Sequence, residues 1–302
     1  MRGGHGASAG RHGEGAGPHG AGRLGEGAGR RGAQRDGDEE AGGRGRRGRH
    51  HGPGRGALLA GGARGTDGVG VVGVVGARGG AGATTVAALL ARSLARRRPT
   101  VLVEAGPGPS LDTVLGLEAH PGLRWPDLTG ARGAVDPALL AGNLMRWGRC
   151  AVLPTDDARP GPAPADVLPD VLAALARAYA SVVVDLDRTA VLTGSDGAGA
   201  GAPPVAACRS VLLVTPREVP AVAGARLVRD ALADRVAGMG LVARGPAPGG
   251  LGPDEVGAAL GLPVVGSLPW VRGLGAAVDR GVGPVLPATV AREVARIAER
   301  LR

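Results

Sequence analysis

The chain has 302 residues, enough for one large domain or two small ones. It carries a formal net charge of +9, has no Phe, and every one of its 36 Lys-or-Arg cations is Arg. No run of ~18 uninterrupted apolar residues is present and no apolar core lies near Met1, so the sequence predicts a cytoplasmic protein with neither a membrane span nor a leader peptide.

Residues 1–66 stand apart in composition. They hold 24 of the 58 glycines and five of the six histidines, and twelve Arg against six acidic residues give them +6. With almost no large apolar residues, such a segment buries too little surface to offset the entropy of ordering, so a disordered tail is predicted. Its Arg-Gly stretches could contact nucleic acid or an acidic surface nonspecifically through charge. Its histidines show no metal-ligand spacing.

Residues 67–302 read as one domain in which short valine-rich runs alternate with longer Ala/Leu/Arg stretches. "VGVVGVV" (69–75) is apolar on both faces and predicts a buried strand. A glycine-rich turn follows, then a helix over 85–98 with apolar positions recurring at a period of about 3.6 and Arg at its C-terminal end. Pro99 stops that helix, and "TVLVE" (100–104) is the next strand. A Gly/Pro-rich loop is read at 105–135, with Trp125 folded back on the domain. A strand at 150–154, a helix at 165–180 beginning in earnest after Pro169, and a strand at 181–185 come next. A loop at 189–207 separates these from a strand at 210–215, a helix at 221–237, a strand at 241–244, a helix at 253–261 and a strand at 263–269. The closing helix, 287–302, places Val290, Val294, Ile297 and Leu301 on one narrow face, which suits core packing better than a membrane surface. Cys150 and Cys208 open two apolar segments and read as reduced, partly buried thiols. The alternation predicts an α/β domain with a mostly parallel sheet covered by helices on both faces.

The stretch "VVGARGGAGATT" (74–85) carries the chemistry. A strand enters a glycine-rich turn that opens a helix, so exposed N–H groups and the positive helix end favour an anion. A ligand-free strand-to-helix turn is the plain alternative. Dinucleotide binding is another: Gly76, Gly80 and Gly82 fit G-x-x-x-G-x-G, and Glu104 stands where a ribose-binding acid belongs. Hydride transfer of the short-chain dehydrogenase type needs a Tyr with a Lys four residues on. The sole Tyr, Tyr179, is followed by Val183, so that chemistry is excluded.

The third reading rests on Arg78-Gly79-Gly80-Ala81-Gly82-Ala83-Thr84-Thr85, which aligns with Lys-Gly-Gly-x-Gly-Lys-Thr-Thr. Here the sequence resembles the MinD/ParA superfamily of deviant-Walker P-loop proteins. The likeness continues in order through "VLVEAGP" (101–107), "SVVVDLD" (181–187), "LLVTPREVPAV" (212–222) and "LPVVGSLPW" (262–270). The segments 111–140 and 242–268 resemble the actinobacterial septum-site-determining, CpaE-like branch (the helicase/secretion neighbourhood), similar to proteins encoded beside secretion and Flp-type pilus machinery.

The resemblance implies a three-layer P-loop NTPase-like fold and a nucleotide site at residues 78–85, with Thr84 and Asp185 as magnesium ligands and ATP or ADP as cofactor. It also implies division, pilus or secretion proteins as partners, a homodimer, and a peripheral place at membrane or septum. The departures weaken the chemistry. The phosphate-gripping lysine is Ala83, the signature lysine is Arg78, and the switch segment keeps Glu104 but has Gly106 in place of its second acid. The base-contacting Asn has only Arg244 near its place. Arg78 reads equally as a phosphate cation or a surface salt bridge. Asp185 reads as a vestigial magnesium-site acid or a cap on the next turn, and Glu104 as a vestigial acid or a solvated loop charge. The implied function is a regulatory scaffold with nucleotide binding and hydrolysis weak or lost. A slow ATPase cycling between monomer and dimer and a DNA-associated partitioning protein are the alternatives.

Overall fold

Strands that are apolar on both faces need cover on both sides, and the architecture supplies it. The computed structural model describes residues 70–133, 135–194 and 204–301; the tail predicted at 1–66 and the centre of the loop predicted at 189–207 lie outside the described residues. In chain order the elements are β1 (Gly70–Gly76), α1 (Ala83–Leu94), β2 (Thr100–Glu104), α2 (Leu111–Leu115), α3 (Pro137–Asn143), β3 (Met145–Trp147), β4 (Cys150–Leu153), α4 (Leu168–Ala178), β5 (Ser181–Asp185), α5 (Arg188–Thr193), β6 (Ser210–Pro216), α6 (Val219–Leu232), β7 (Gly238–Arg244), α7 (Pro253–Leu260), β8 (Val264–Leu268), α8 (Leu274–Asp279) and α9 (Ala288–Arg300). Short 3-10 turns lie at Trp125–Leu128 and Pro204–Ala207.

The eight strands form one sheet in the order β3-β4-β2-β5-β1-β6-β7-β8. All neighbours pair in parallel except β3, which runs antiparallel to β4 at the edge. Side chains alternate across the sheet. Val101, Val103, Val182, Val184, Val211 and Leu213 meet α4, α6 and α7 through Leu168, Val171, Val228 and Leu260 on one face. Leu102, Val183, Leu212 and Val214 meet α1 and α9 through Leu90, Leu94, Val294 and Ile297 on the other. The result is three layers, helix–sheet–helix, with a core on each side of the sheet.

Several predicted boundaries shift for visible reasons. The first helix ends at Leu94, and residues 95–98 continue as a turn before Pro99. α4 begins at Leu168, because Pro169 is accepted in a first helical turn. β7 starts at Gly238, so α6 stops at Leu232, short of the predicted 237. β3, α3, α5 and α8 went unpredicted, α5 taking up the start of the loop read at 189–207; β3 is three residues long and joins β4 through Gly148-Arg149, where Gly148 adopts φ 62°. The predicted loop at 105–135 contains α2.

α9 fulfils its core assignment. Val290, Val294, Ile297 and Leu301 are all buried. Ile297 seats where Gly266 has no side chain; a Cβ there would stand 2.4 Å from Ile297 Cγ1. Ile297→Ala is expected to destabilise the fold by ~2–5 kcal/mol, read by chemical denaturation.

Candidate functional site

The loop after β1 lies at the centre of the sheet, between the ends of β5 and β6. From there α1 carries the chain to β2 on one side while β6 lies on the other, the kind of switch point where α/β folds hold ligands. The loop holds its shape with main-chain bonds: Ala77 N–H donates to Val214 O at 2.9 Å and Ala81 N–H to Arg78 O at 3.2 Å. Gly80 (φ 71°) and Gly82 (φ 84°) take left-handed backbone that a side chain disfavours. At Gly82 a Cβ would also stand 1.6 Å from Arg244 Nη1. Gly82 caps α1 without a side-chain hydrogen bond, and no acid occupies the first turn. The opening N–H groups of α1 therefore have neither intrahelical acceptors nor an acid within their own first turn.

A cavity of about 300 Å³ opens beside the loop, lined by Gly76, residues 78–84, Glu104, residues 106–109 and residues 185–188. The structure thus brings together the predicted residues Arg78, Gly79, Gly80, Ala81, Gly82, Ala83 and Thr84 with Glu104 and Asp185; Thr85 lies outside the lining. Asp185 ends β5, is only 9 % exposed, and accepts a hydrogen bond from the Thr84 side chain. Burial pushes its carboxyl up to about 7, with Glu104 and Asp187 adding repulsion and Thr84 opposing the shift. Asp185 is not a cap on the next turn. That task falls to Asp187, whose carboxylate accepts from Ala190 N–H at 2.7 Å.

Glu104 departs furthest from the solvated loop charge among its predicted readings. It is 4 % exposed. One carboxylate oxygen accepts from Leu111 N–H at 3.0 Å, Thr155 N–H at 2.8 Å and the Thr155 hydroxyl at 2.8 Å. Burial still outweighs these donors and raises its carboxyl to about 6. Its carbonyl accepts the Trp125 indole N–H at 2.6 Å, and Trp125 is fully buried as predicted. Gly106, where the resembled pattern has its second acid, is closely packed: a Cβ there would lie 2.8 Å from Asp187 Cβ.

The cations are distributed unexpectedly. Ala83 lines the cavity with a methyl group. Arg78 is engaged by Glu218 at 2.7 Å and by its neighbour's carbonyl, Gly79 O, at 2.8 Å, which favours the salt-bridge reading. Arg244 sits against Gly82, donates to Ala81 O at 2.8 Å and lies 5.5 Å from the ring of Trp270, outside the cavity lining. Burial lowers its pKa. Two charged lining residues, Asp187 and Arg188, had no role in the sequence reading. Arg188 opens α5 and donates Nε–H to Ala77 O at 2.9 Å.

Thr84 and Asp185 offer adjacent hard oxygen donors, which suit magnesium with its remaining positions on water and phosphate oxygens. A bound magnesium ion would neutralise phosphate charge there, in competition with the proton held by Asp185. Among the described residues no cluster of three or more His, Cys, Asp or Glu could hold a metal unaided. Cys150 and Cys208 are free, buried thiols, both pushed up to about 12 by burial. No described helix is long and apolar enough to cross a membrane.

No family model matches the chain. The uncharacterized proteins Rv3660c and MT3760 of two Mycobacterium tuberculosis strains are each 36 % identical over 188 residues, 62 % of this chain and 51 % of theirs. The chain thus spans about half the length of the curated relatives it matches. Among solved structures, the ParA family ATPase of Chlorobium tepidum superposes with a TM-score of 0.61 at 17 % identity, over 77 % of this chain and 98 % of that one. A chain of the MinC:MinD cell division complex of Aquifex aeolicus gives 0.61 at 19 %, over 77 % and 95 %. The septum site-determining protein MinD of Pyrococcus horikoshii, complexed with Mg-ADP, gives 0.54 at 18 %, over 76 % and 94 %. These likenesses establish the predicted three-layer P-loop NTPase-like fold.

Two outcomes follow from the buried acids. The native state holds a proton on Asp185 up to about pH 7, whereas an ordinary Asp releases it near 3.8, so stability falls as pH rises through that window. Glu104 acts with the same sign between 4.5 and about 6. Asp185→Asn is expected to flatten the decline of melting temperature between pH 4 and 7. Gly106→Asp, which restores the acid of the resembled pattern, is expected to lower the melting temperature, because its Cβ meets Asp187.

Proposed function

We propose that this protein is a MinD/ParA-like regulatory scaffold whose nucleotide site has lost its principal cation, and that it acts through protein contacts in septum-site determination or in CpaE-like pilus or secretion assembly. One observation carries the reading: the loop keeps the main-chain geometry of a phosphate cradle, while position 83 presents a methyl group to the cavity. A charge-assisted hydrogen bond is worth ~1.5–3 kcal/mol, about tenfold to a hundredfold in binding. A transition state that gathers more charge loses more. Glu104 commits one carboxylate oxygen to three donors on neighbouring segments, which restricts its freedom to reorient toward a reacting group.

Protein contact as the mode of action is supported by the similar Aquifex structure, a complex of MinD with MinC. The Mg-ADP bound to Pyrococcus MinD supports a nucleoside phosphate with magnesium as the site's ligand class. In this reading residues 67–302 form the regulatory domain and 1–66 a basic extension able to touch nucleic acid. The protein is cytoplasmic, peripheral at membrane or septum, and able to pair with a second copy.

A slow ATPase is the second reading, favoured by the preserved Thr84–Asp185 pair. Titration with labelled ATP and ADP, beside an Ala83→Lys variant, separates the two. Weak binding by the natural chain, at least tenfold tighter binding by the variant, and no phosphate release are expected. Micromolar magnesium-ATP binding with steady turnover by the natural chain would establish the ATPase instead.

A further inference from the structure

An anion entering the cavity meets the N–H groups of α1 but also three carboxylates, Glu104, Asp185 and Asp187, and no lysine. Arg78 does not balance them, since Glu218 and Gly79 hold it. Arg188 is placed differently. It is half-buried, lines the cavity, and uses its Nε–H on Ala77 O at 2.9 Å, the carbonyl at the root of the loop. That carbonyl is itself fixed against α6, where a Cβ on Gly224 would stand 2.4 Å away. The guanidinium is therefore anchored by one of its five N–H donors, and its terminal Nη groups have no partner among the described residues. Its neighbour Asp187 is occupied at Ala190 N–H rather than paired with it.

We propose that Arg188 has taken over the role of the loop's missing cation and binds the phosphoryl oxygens of a polyphosphate, free or carried by a nucleoside, in this cavity. The proposal rests on reading the loop as a phosphate site. The chain contains no Lys, and Arg is its sole strong cation. A planar fork on a long stem does not reproduce a compact ammonium within a tight loop. Mounted on α5 and pinned to Ala77, the same fork can offer two parallel N–H donors to phosphate from the cavity wall.

Isothermal titration of the full chain with tripolyphosphate, ADP and ATP in magnesium buffer tests this. Arg188→Ala is expected to weaken every anion that binds by about tenfold or more. Arg188→Lys, which keeps the charge without the fork, should fall between the two. Arg132→Ala, removing an exposed charge paired with Asp166, should bind like the natural chain. Tripolyphosphate binding as tightly as ATP would identify an inorganic ligand, and tighter ATP a nucleotide. If Arg188→Ala does not fold, Arg188→Gln, which keeps an N–H for Ala77, carries the same expectation. Undiminished binding by a folded Arg188 variant overturns the proposal. So does the absence of binding by the natural chain at millimolar anion, an outcome that leaves the scaffold reading intact. Phosphate release that depends on Arg188 overturns the scaffold reading and supports this one.

Discussion

A single buried carboxylate organises the wall of the cavity. Glu104 ends β2, and its oxygen gathers the first N–H of α2 and both donors of Thr155 beyond β4, while its carbonyl takes the Trp125 indole. Three segments, 7, 21 and 51 residues further along the chain, are tied to the end of β2 at one residue. The cost is a carboxyl buried in register beside Asp185 on β5. Burial raises both carboxyls; Asp112 adds repulsion at Glu104, and Glu104 and Asp187 add it at Asp185. The centre of the site is thus less negative near neutral pH than its composition implies.

The loop's geometry and its charge have separate physical origins. Its shape comes from glycines with positive φ, from main-chain bonds to Val214 and Arg78, and from Arg244 seated against Gly82. None of these needs a side chain at position 83. The form of the loop is therefore independent of whether residue 83 carries a charge. A glycine-rich loop can consequently resemble a working site in backbone outline while its electrostatics have changed.

The strands were the most legible part of the sequence. Residues 100–104 and 181–185 match their predicted bounds, because valine runs without polar interruption leave little choice. The glycine loop was legible as well, since glycine spacing between a strand and a helix is a local signal; the hydrogen bond between Thr84 and Asp185 was not, because it joins α1 to the end of β5. Glu104 was open to misreading because its donors lie seven and 51 residues away. Nothing local distinguishes Arg188 from the other arginines; its role as a lining residue depends on α5 meeting Ala77, a contact 111 residues apart in sequence. β3 escaped because three residues cannot show a period.

Two departures from the resembled pattern look independent in the sequence and are coupled in space. Gly106 appears as a lost acid, yet the room its side chain would need is taken by Asp187, which lines the same cavity. Ala83 appears as a lost cation, yet an arginine one residue beyond Asp187 lines that cavity as well. One acid and one cation are absent from β2's loop and from α1, and one of each stands together at the start of α5. Asp187 and Arg188 thus set one negative and one positive charge side by side in the cavity wall, and the hydrogen bond of Arg188 to Ala77 O holds the positive one against the root of the loop. A side chain already held at one end has less conformational freedom left to lose on making a further contact.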